Sequence, residues 1–206
     1  MSPGRLITIE GIDGAGKTTL AQGLEGELGS RGIEARLLRE PGGVRAAERI
    51  RDLVKDPALH IGGAAEALLY AAARAQLVEE AVRPLLEDGT WVLLDRFVDS
   101  SLAYQGAGRG LGVDAVRVVN EFAIRGLEPD RTLLLRLDPE LARARARARG
   151  EPVDRLEREE QDFFARIAAG YDQLAGEEPE RIRVLDAART APDLLADALI
   201  ELRDLL

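Results

Sequence analysis

A glycine-rich run near the start of the chain carries the clearest chemistry in this sequence. Residues 11–18 read Gly-Ile-Asp-Gly-Ala-Gly-Lys-Thr and match the pattern G-x-x-x-x-G-K-[ST] at every fixed position. Glycines allow successive backbone N–H groups to turn inward around a polyphosphate, and the start of a following helix adds partial positive charge there. Lys17 can reach the outer phosphates, and the Thr18 hydroxyl can ligate Mg²⁺. The run therefore predicts a loop that binds the phosphates of a nucleotide.

A carboxylate and an arginine stand together at the end of a second apolar run. Residues 91–95 read Trp-Val-Leu-Leu-Asp, and Arg96 follows directly. Beside a phosphate-binding loop, an acid at a strand end holds Mg²⁺, and an adjacent arginine stabilises a transferred phosphoryl group. An ordinary surface ion pair is the alternative, but the position at a strand end favours a role in the site.

Three further segments could complete a nucleotide site, and each has a plain structural alternative. Residues 39–43, Arg-Glu-Pro-Gly-Gly, form a strand-to-loop turn. Residues 99–106, interpreted as a loop, offer hydroxyl, amide and phenol groups that suit a base and sugar, or that cap a helical turn. Tyr70 and Arg74 lie four residues apart, so on a helix they share a face and could bind a nucleoside monophosphate. A core tyrosine beside a solvent-exposed arginine is the alternative there.

A basic segment stands out in this acidic chain. Four arginines alternate with alanine over residues 143–149, and a Gly-Glu-Pro stretch follows. On a helix these arginines divide between two faces, so they cannot all contact one ligand. The pattern is typical of a lid that brings positive charge over phosphates when it closes, and a solvated helix explains it equally well.

Apolar strand-like runs alternate with longer amphipathic runs along the whole chain. This alternation predicts an α/β fold with a parallel sheet, helices on both faces, and ligand sites at the carboxyl ends of the strands. The predicted strands are Leu6–Glu10, Glu34–Arg39, Thr90–Asp95, Arg131–Asp138 and Arg181–Asp186. The predicted helices are Thr19–Ser30, Val44–Val54, Ala64–Glu87, Val113–Arg125, Pro139–Arg149, Glu157–Ala175 and Ala191–Leu205.

Length and composition bound the remaining possibilities. The 206 residues suit one domain, 1–206, with a full core. The absence of cysteine excludes disulfides and thiolate metal sites. A net charge of −9 argues against a nucleic-acid binder, which would present a basic face. The sequence has no apolar run of membrane-spanning length and no apolar leader, so we expect a cytoplasmic protein without a membrane partner.

Taken together, these motifs resemble the thymidylate kinases of the nucleoside monophosphate kinase group, over nearly the whole chain. The resemblance rests on residues 9–19, 39–43, 70–76, 95–101, 103–106 and 154–157. It implies a three-layer P-loop fold with a five-stranded parallel sheet and a basic lid at about 139–157. It also implies phosphorylation of dTMP to dTDP with ATP and Mg²⁺, by direct in-line transfer, in dTTP biosynthesis. Members of this family are usually homodimers.

The resemblance also implies roles for individual residues. Those expected to contact ATP are Gly11, Asp13, Gly14, Ala15, Gly16, Lys17, Thr18, Thr19 and Arg143. Those expected to contact dTMP are Asp13, Glu40, Pro41, Arg51, Tyr70, Arg74, Arg96, Ser101, Tyr104 and Gln105. The expected catalytic residues are Lys17, Asp95, Arg96, Arg149 and Arg155, and the expected Mg²⁺ ligands are Thr18 and Asp95.

Two positions need comment against the family pattern. One differs from the usual residue, and the other is a position at which members of the family differ among themselves. Tyr70 stands where the family usually has a phenylalanine stacked on thymine. Ala15 stands where some members have an arginine in the phosphate loop. Members without that arginine place the catalytic cation in the lid, which here points to Arg145, Arg149 and Arg155.

Two other functions remain open at this stage. The first is a kinase for another nucleoside monophosphate or deoxynucleoside. The second is a nucleotide-controlled switch that hydrolyses its nucleotide slowly. A guanine-reading switch would need an Asn-Lys-x-Asp signature, and the two lysines of the chain, Lys17 and Lys55, lie outside any such motif.

Overall fold

The computed structural model describes residues 4–148, 155–156, 159 and 161–206. Its centre is a sheet of five parallel strands in the order β2-β3-β1-β4-β5. The strands are β1 Leu6–Glu10, β2 Ala35–Arg39, β3 Trp91–Asp95, β4 Arg131–Arg136 and β5 Ile182–Asp186. The sequence-based prediction of an α/β fold with a five-stranded parallel sheet is confirmed.

Helices connect the strands and cover the sheet. The α-helices are α1 Lys17–Ser30, α2 Arg45–Lys55, α3 Gly63–Leu77, α4 Arg83–Glu87, α5 Val98–Ser101, α6 Val113–Ile124, α7 Pro139–Ala148, α8 Gln161–Glu177 and α9 Ala191–Glu201. A π-helical turn, Val78–Val82, joins α3 to α4, and a longer one, Leu102–Gly108, extends α5. In the described residues, no helix combines the length and the apolar character that a membrane crossing requires.

The interpretation of residues 99–106 as a loop is wrong. They lie in α5 and in the π-helical segment that follows it. The segment packs against α8 and α6, and its polar side chains are buried against specific partners instead of facing solvent. Local residue types that favour turns were therefore outweighed by tertiary packing.

Apolar side chains cover both faces of the sheet. One cluster includes Ile9, Leu93 and Leu133 with the inner faces of α1, α8 and α9. The other includes Leu94 and Phe97 and lies against the α3–α4 region. Because the central strands are buried on both faces, they appear in the sequence as continuous apolar runs, and they give the ends of β1 and β3 a rigid support.

A partly buried ion pair joins Asp99 of α5 to Arg181, the residue directly before β5. The Arg181 guanidinium donates to both carboxylate oxygens of Asp99, at 2.7 and 2.9 Å, and also to the hydroxyl of Thr132 at 2.8 Å. Asp99 is almost fully buried. Burial opposes the charge of Arg181, but its hydrogen bonds to Asp99 and Glu178 outweigh this and raise its pKa.

We therefore expect Asp99→Ala to lower the free energy of unfolding by about 3 kcal/mol, because it leaves a desolvated guanidinium without its main partner. Urea denaturation at constant pH measures this change. Glu79→Ala is the matched control, since the Arg125–Glu79 pair is 73% and 71% exposed, and it should change stability by less than about 0.5 kcal/mol. Equal effects of the two variants would contradict the prediction.

Candidate active site

The glycine-rich run forms a loop between β1 and α1. Gly11 and Gly14 have φ values of 134° and 89°, which side chains rarely tolerate. A Cβ at Gly11 would lie 2.6 Å from the Leu135 carbonyl oxygen, and one at Gly14 would lie 2.2 Å from that of Ala142. The loop can therefore form only with glycine at these places, and it leads directly into α1 at Lys17.

A cavity of about 750 Å³ opens beside this loop, at the carboxyl ends of β1, β2 and β3. Its wall also includes parts of α2, α3 and the α5 region. The predicted site residues that line it are Asp13, Gly14, Gly16, Lys17, Thr18, Thr19, Glu40, Pro41, Arg51, Tyr70, Asp95, Arg96, Ser101, Tyr104 and Gln105. The structure thus brings together segments that lie far apart in the sequence.

Other predicted residues lie away from the cavity wall. Gly11, Ala15, Arg74, Arg143 and Arg155 do not line it, and Arg149 lies outside the described residues. Gly11 and Ala15 belong to the phosphate loop itself, and the Ala15 side chain is buried. The three arginines have protein partners instead, as described below.

The two predicted metal ligands are already in contact. The Thr18 hydroxyl donates to Asp95 Oδ2 at 2.7 Å, so an oxygen from α1 and one from the end of β3 face each other. Among the described residues no group of three acidic or histidine side chains could hold a metal. Two hard oxygen ligands suit Mg²⁺, which retains water molecules and takes its remaining ligands from nucleotide phosphates.

Arg96 lines the cavity and joins several of the segments that form its wall. Its Nη2 donates to Asp13 at 2.6 Å and to the Tyr104 hydroxyl at 3.1 Å, and its Nη1 donates to the Gly11 carbonyl at 3.1 Å. Its backbone has a φ of 73°, the left-handed conformation that only tertiary contacts make tolerable. Burial disfavours its charge, but Asp13 outweighs this and keeps the pKa of Arg96 above its usual value.

Asp13 and Lys17 share the electrostatic field of Arg96. Burial would raise the pKa of Asp13, yet Arg96 and Lys17 overcome this and lower it, so the carboxylate is ionised. Lys17 Nζ donates to the Ile12 carbonyl at 3.1 Å and lies 3.8 Å from Asp13. Burial, aided by Arg96, lowers the pKa of Lys17 to about 8. The loop therefore has a dense but internally balanced set of charges.

Arg74 is buried beneath the wall opposite the phosphate loop, so it is not the solvent-exposed arginine that one interpretation expected. Its guanidinium donates to Glu40 Oε2, to the Ser101 hydroxyl, to Asn120 and to the Phe97 carbonyl. Only 1% of its side chain is exposed. Arg74 therefore orients Glu40 and Ser101, which do line the cavity.

Two described arginines of the basic segment, and Arg155 beyond it, contact other parts of the protein. Arg145 donates to the Ala187 carbonyl at 2.8 Å, after β5, and Arg143 lies 6.0 Å from the centre of the Phe164 ring. Arg155 donates to the buried carboxylate of Glu66 at 2.5 Å. Each of these three arginines is thus held by another element in this structure.

Sequence reasoning passed over some residues of the cavity wall. Ser100 lines it and accepts a hydrogen bond from Arg96, and Lys55 lines it at the end of α2. Lysine is rare in this arginine-rich chain, and that rarity was a signal that could have singled out Lys55. Arg39 also lines the cavity, where it is paired with Glu48.

Comparisons with known proteins agree on one family. A sequence model described as thymidylate kinase matches residues 9–197. The chain is 49% identical to a thymidylate kinase of Deinococcus radiodurans, over 96% of this chain and 95% of the relative. It is 45% identical to one of Chromobacterium violaceum, over 98% and 95% of the two chains. The crystal structure of thymidylate kinase from Ehrlichia chaffeensis superimposes with a TM-score of 0.78 at 27% identity, covering 98% of this chain and all of that one. The chain therefore belongs to the thymidylate kinase family.

Proposed function

We propose that the 750 Å³ cavity aligns ATP and dTMP for direct, in-line transfer of the γ-phosphoryl group. Membership of the family defines the reaction: the chain is an ATP-dependent dTMP kinase of nucleotide biosynthesis. The observation that carries the proposed mechanism is the position of Arg96, which contacts the phosphate loop at Gly11 on one side and Tyr104 on the other.

The two ends of the cavity suit different nucleotides. Glycine backbone and Lys17 at one end favour the polyphosphate of ATP. At the other end, Tyr70 offers a ring that can stack on a base, and Ser101 and Gln105 offer groups for its polar edge. Tyr104 also lines the cavity, and its ring would favour a deoxyribose without a 2′ hydroxyl. The acceptor phosphate would then meet the γ-phosphate at Arg96.

Charge neutralisation supplies the chemistry of this transfer. ATP brings about four negative charges and dTMP about two, so several cations must gather around them. Lys17, Arg51, Arg96 and Lys55 line the cavity for this purpose. The acceptor oxygen is already anionic, so the transfer needs no strong general base. The reaction therefore proceeds without a histidine or cysteine at the site.

Thr18 and Asp95 are the residues that would hold Mg²⁺, and their 2.7 Å contact supports this. Held there, Mg²⁺ would supply positive charge that offsets the charge of the phosphates.

The lid remains part of the proposal. We assign residues 139–157 to a lid within a single domain, 1–206, and we assign the cation that Ala15 does not supply to Arg149 and Arg155. Arg143, which lies over the Phe164 ring of α8, is assigned to the adenine side. Arg74 is assigned to the acceptor base through Ser101, which it holds by a 3.0 Å hydrogen bond. A cytoplasmic location stays a prediction.

The acceptor assignment is tested by a coupled ADP-release assay with dTMP, dUMP, dCMP, dGMP, UMP and AMP. We expect dTMP to give the highest kcat/KM. The Tyr70 ring can stack on its base, and the Tyr104 ring disfavours a sugar with a 2′ hydroxyl. A higher kcat/KM with another monophosphate would support the alternative kinase. Nucleotide hydrolysis that no acceptor stimulates would support a switch.

Arg96→Ala should lower kcat by about 10²–10⁴-fold, because it removes the charge that stabilises the transferred group. The same coupled assay, at saturating ATP and dTMP, measures this. Arg31→Ala is the matched control, since Arg31 pairs with Glu27 at the exposed end of α1, and its kcat should not change. A kcat of Arg96→Ala within about threefold of the parent would contradict the assigned role.

We also propose a homodimer that pairs through α3 and α6. These two helices pack side by side and expose Leu68, Val118 and Phe122, which are 58%, 65% and 86% accessible. Val118 and Phe122 are four residues apart and share a face of α6. An adjacent set of large apolar side chains in water is costly, and a second copy would cover it.

Phe122→Glu should convert the dimer to a monomer, because it would bury a carboxylate in the apolar contact. Light scattering coupled to size-exclusion chromatography measures the mass. Ile200→Glu is the control, since Ile200 is 59% exposed on α9, and this variant should stay dimeric. A Phe122→Glu protein that keeps the mass of the parent would exclude this surface.

A further inference from the structure

Glu10 is a fully buried carboxylate behind the residues that line the cavity. It ends β1, has no solvent exposure, and does not line the cavity. None of the roles assigned above uses it. A buried carboxylate is costly unless its oxygens accept hydrogen bonds, so its contacts indicate what it stabilises.

Three donors from three segments surround this carboxylate. The Phe97 backbone N–H donates to Oε1 at 2.7 Å, from the turn after β3. The Ser100 hydroxyl of α5 donates to Oε2 at 2.5 Å, and the Tyr171 hydroxyl of α8 donates to the same oxygen at 3.0 Å. Glu10 therefore joins β1, the β3–α5 connection and α8 at one point.

Two of these contacts fix Arg96. The Phe97 N–H directly follows Arg96, whose φ of 73° is strained, so Glu10 holds the turn that aims the arginine into the cavity. Ser100 gives its single proton to Glu10, which leaves its oxygen free to accept from Arg96 Nη1 at 3.0 Å. Backbone and guanidinium are thus both positioned from the same carboxylate.

We infer that Glu10 is the positioning residue for Arg96 and that, through Ser100, its ionised carboxylate orients the guanidinium toward the acceptor phosphate. The inference rests on the proposed role of Arg96. Glu10 itself touches neither nucleotide.

The charge state of Glu10 supports this role. Burial, and then the nearby Asp99, raises the pKa of Glu10 to about 7, while Ser100, Arg96 and the Phe97 N–H act against this shift. Lys17 on α1 and Tyr171 on α8 are the other titratable groups that face it. Above pH 7 the carboxylate only accepts. Below pH 7 the carboxyl group carries a proton of its own, so one of the three donors loses its acceptor. The hydrogen bonds around Ser100 that orient Arg96 are then lost.

The test compares Glu10→Gln, Glu10→Asp and Thr8→Val by steady-state kinetics, with melting temperature recorded for each. Thr8 is the matched control, because it lies on the same face of β1, is equally buried, and shares a 2.7 Å hydrogen bond with Thr132. We expect Glu10→Gln to lower kcat/KM for dTMP by about 10–100-fold, with the KM for ATP within about twofold. Glu10→Asp should recover part of this loss, and Thr8→Val should change only the melting temperature.

A pH profile provides a second readout. For the parent and Thr8→Val, kcat/KM for dTMP should fall as the pH drops through about 7, and Glu10→Gln should lose this limb. The limb from the dTMP phosphate itself, with a pKa of about 6, should remain in all three proteins. If Glu10→Gln keeps the parent profile and kcat/KM for dTMP, Glu10 has no positioning role.

Two further variants make the result decisive. If Glu10→Gln does not fold, Ser100→Ala replaces it, and a loss in kcat/KM for dTMP below about threefold would overturn the inference. If Glu10→Gln folds, it is combined with Ser100→Ala. The double variant should lose little more kcat/KM for dTMP than the worse single variant, because both substitutions break the same connection to Arg96. Additive losses would count against the inference. Arg96→Ala separates the two proposals: if Arg96→Ala is harmless the role of Arg96 fails, whereas if only Glu10→Gln is harmless this inference alone fails.

Discussion

The ion pair between Arg96 and Asp13 is the interaction on which the rest of the site depends. It connects the end of β3 to the phosphate loop after β1 through a 2.6 Å contact. Because the pair is partly desolvated, each charge needs the other, and the guanidinium is held in place before any nucleotide arrives. An arriving phosphate therefore meets an arginine that is already oriented, and little reorganisation is needed during transfer.

The order of the strands makes this contact possible. β2, β3 and β1 are neighbours, so their carboxyl ends lie at one edge of the sheet although their sequences are far apart. Each end contributes one kind of chemistry: the turn with Glu40, the Asp95–Arg96 pair, and the glycine loop. Apolar packing on both sheet faces keeps these strand ends at fixed distances from one another. Two nucleotides can be aligned for in-line transfer only if those distances are fixed.

The sequence was sufficient to predict those parts of the site in which a motif stands directly at the end of a strand. The glycine loop and the Asp95–Arg96 pair were predicted because their spacing dictates backbone geometry. Side chains whose partners come from distant elements could not be predicted this way. Arg74 is buried because Glu40 and Asn120, from other segments, compensate its charge, and no local pattern encodes such a network. The helical state of residues 98–108 depends equally on packing against α6 and α8.

The π-helical segment Leu102–Gly108 affects how the acceptor selectivity of this protein could change. Its wide turn sets the register in which Tyr104 and Gln105 line the same wall as Ser101. Deleting one residue there would restore ordinary α-helical spacing and rotate every later side chain by about 100°. A single deletion would therefore change which side chains follow Ser101 on this wall, while Tyr70 and Ser101 stay in place.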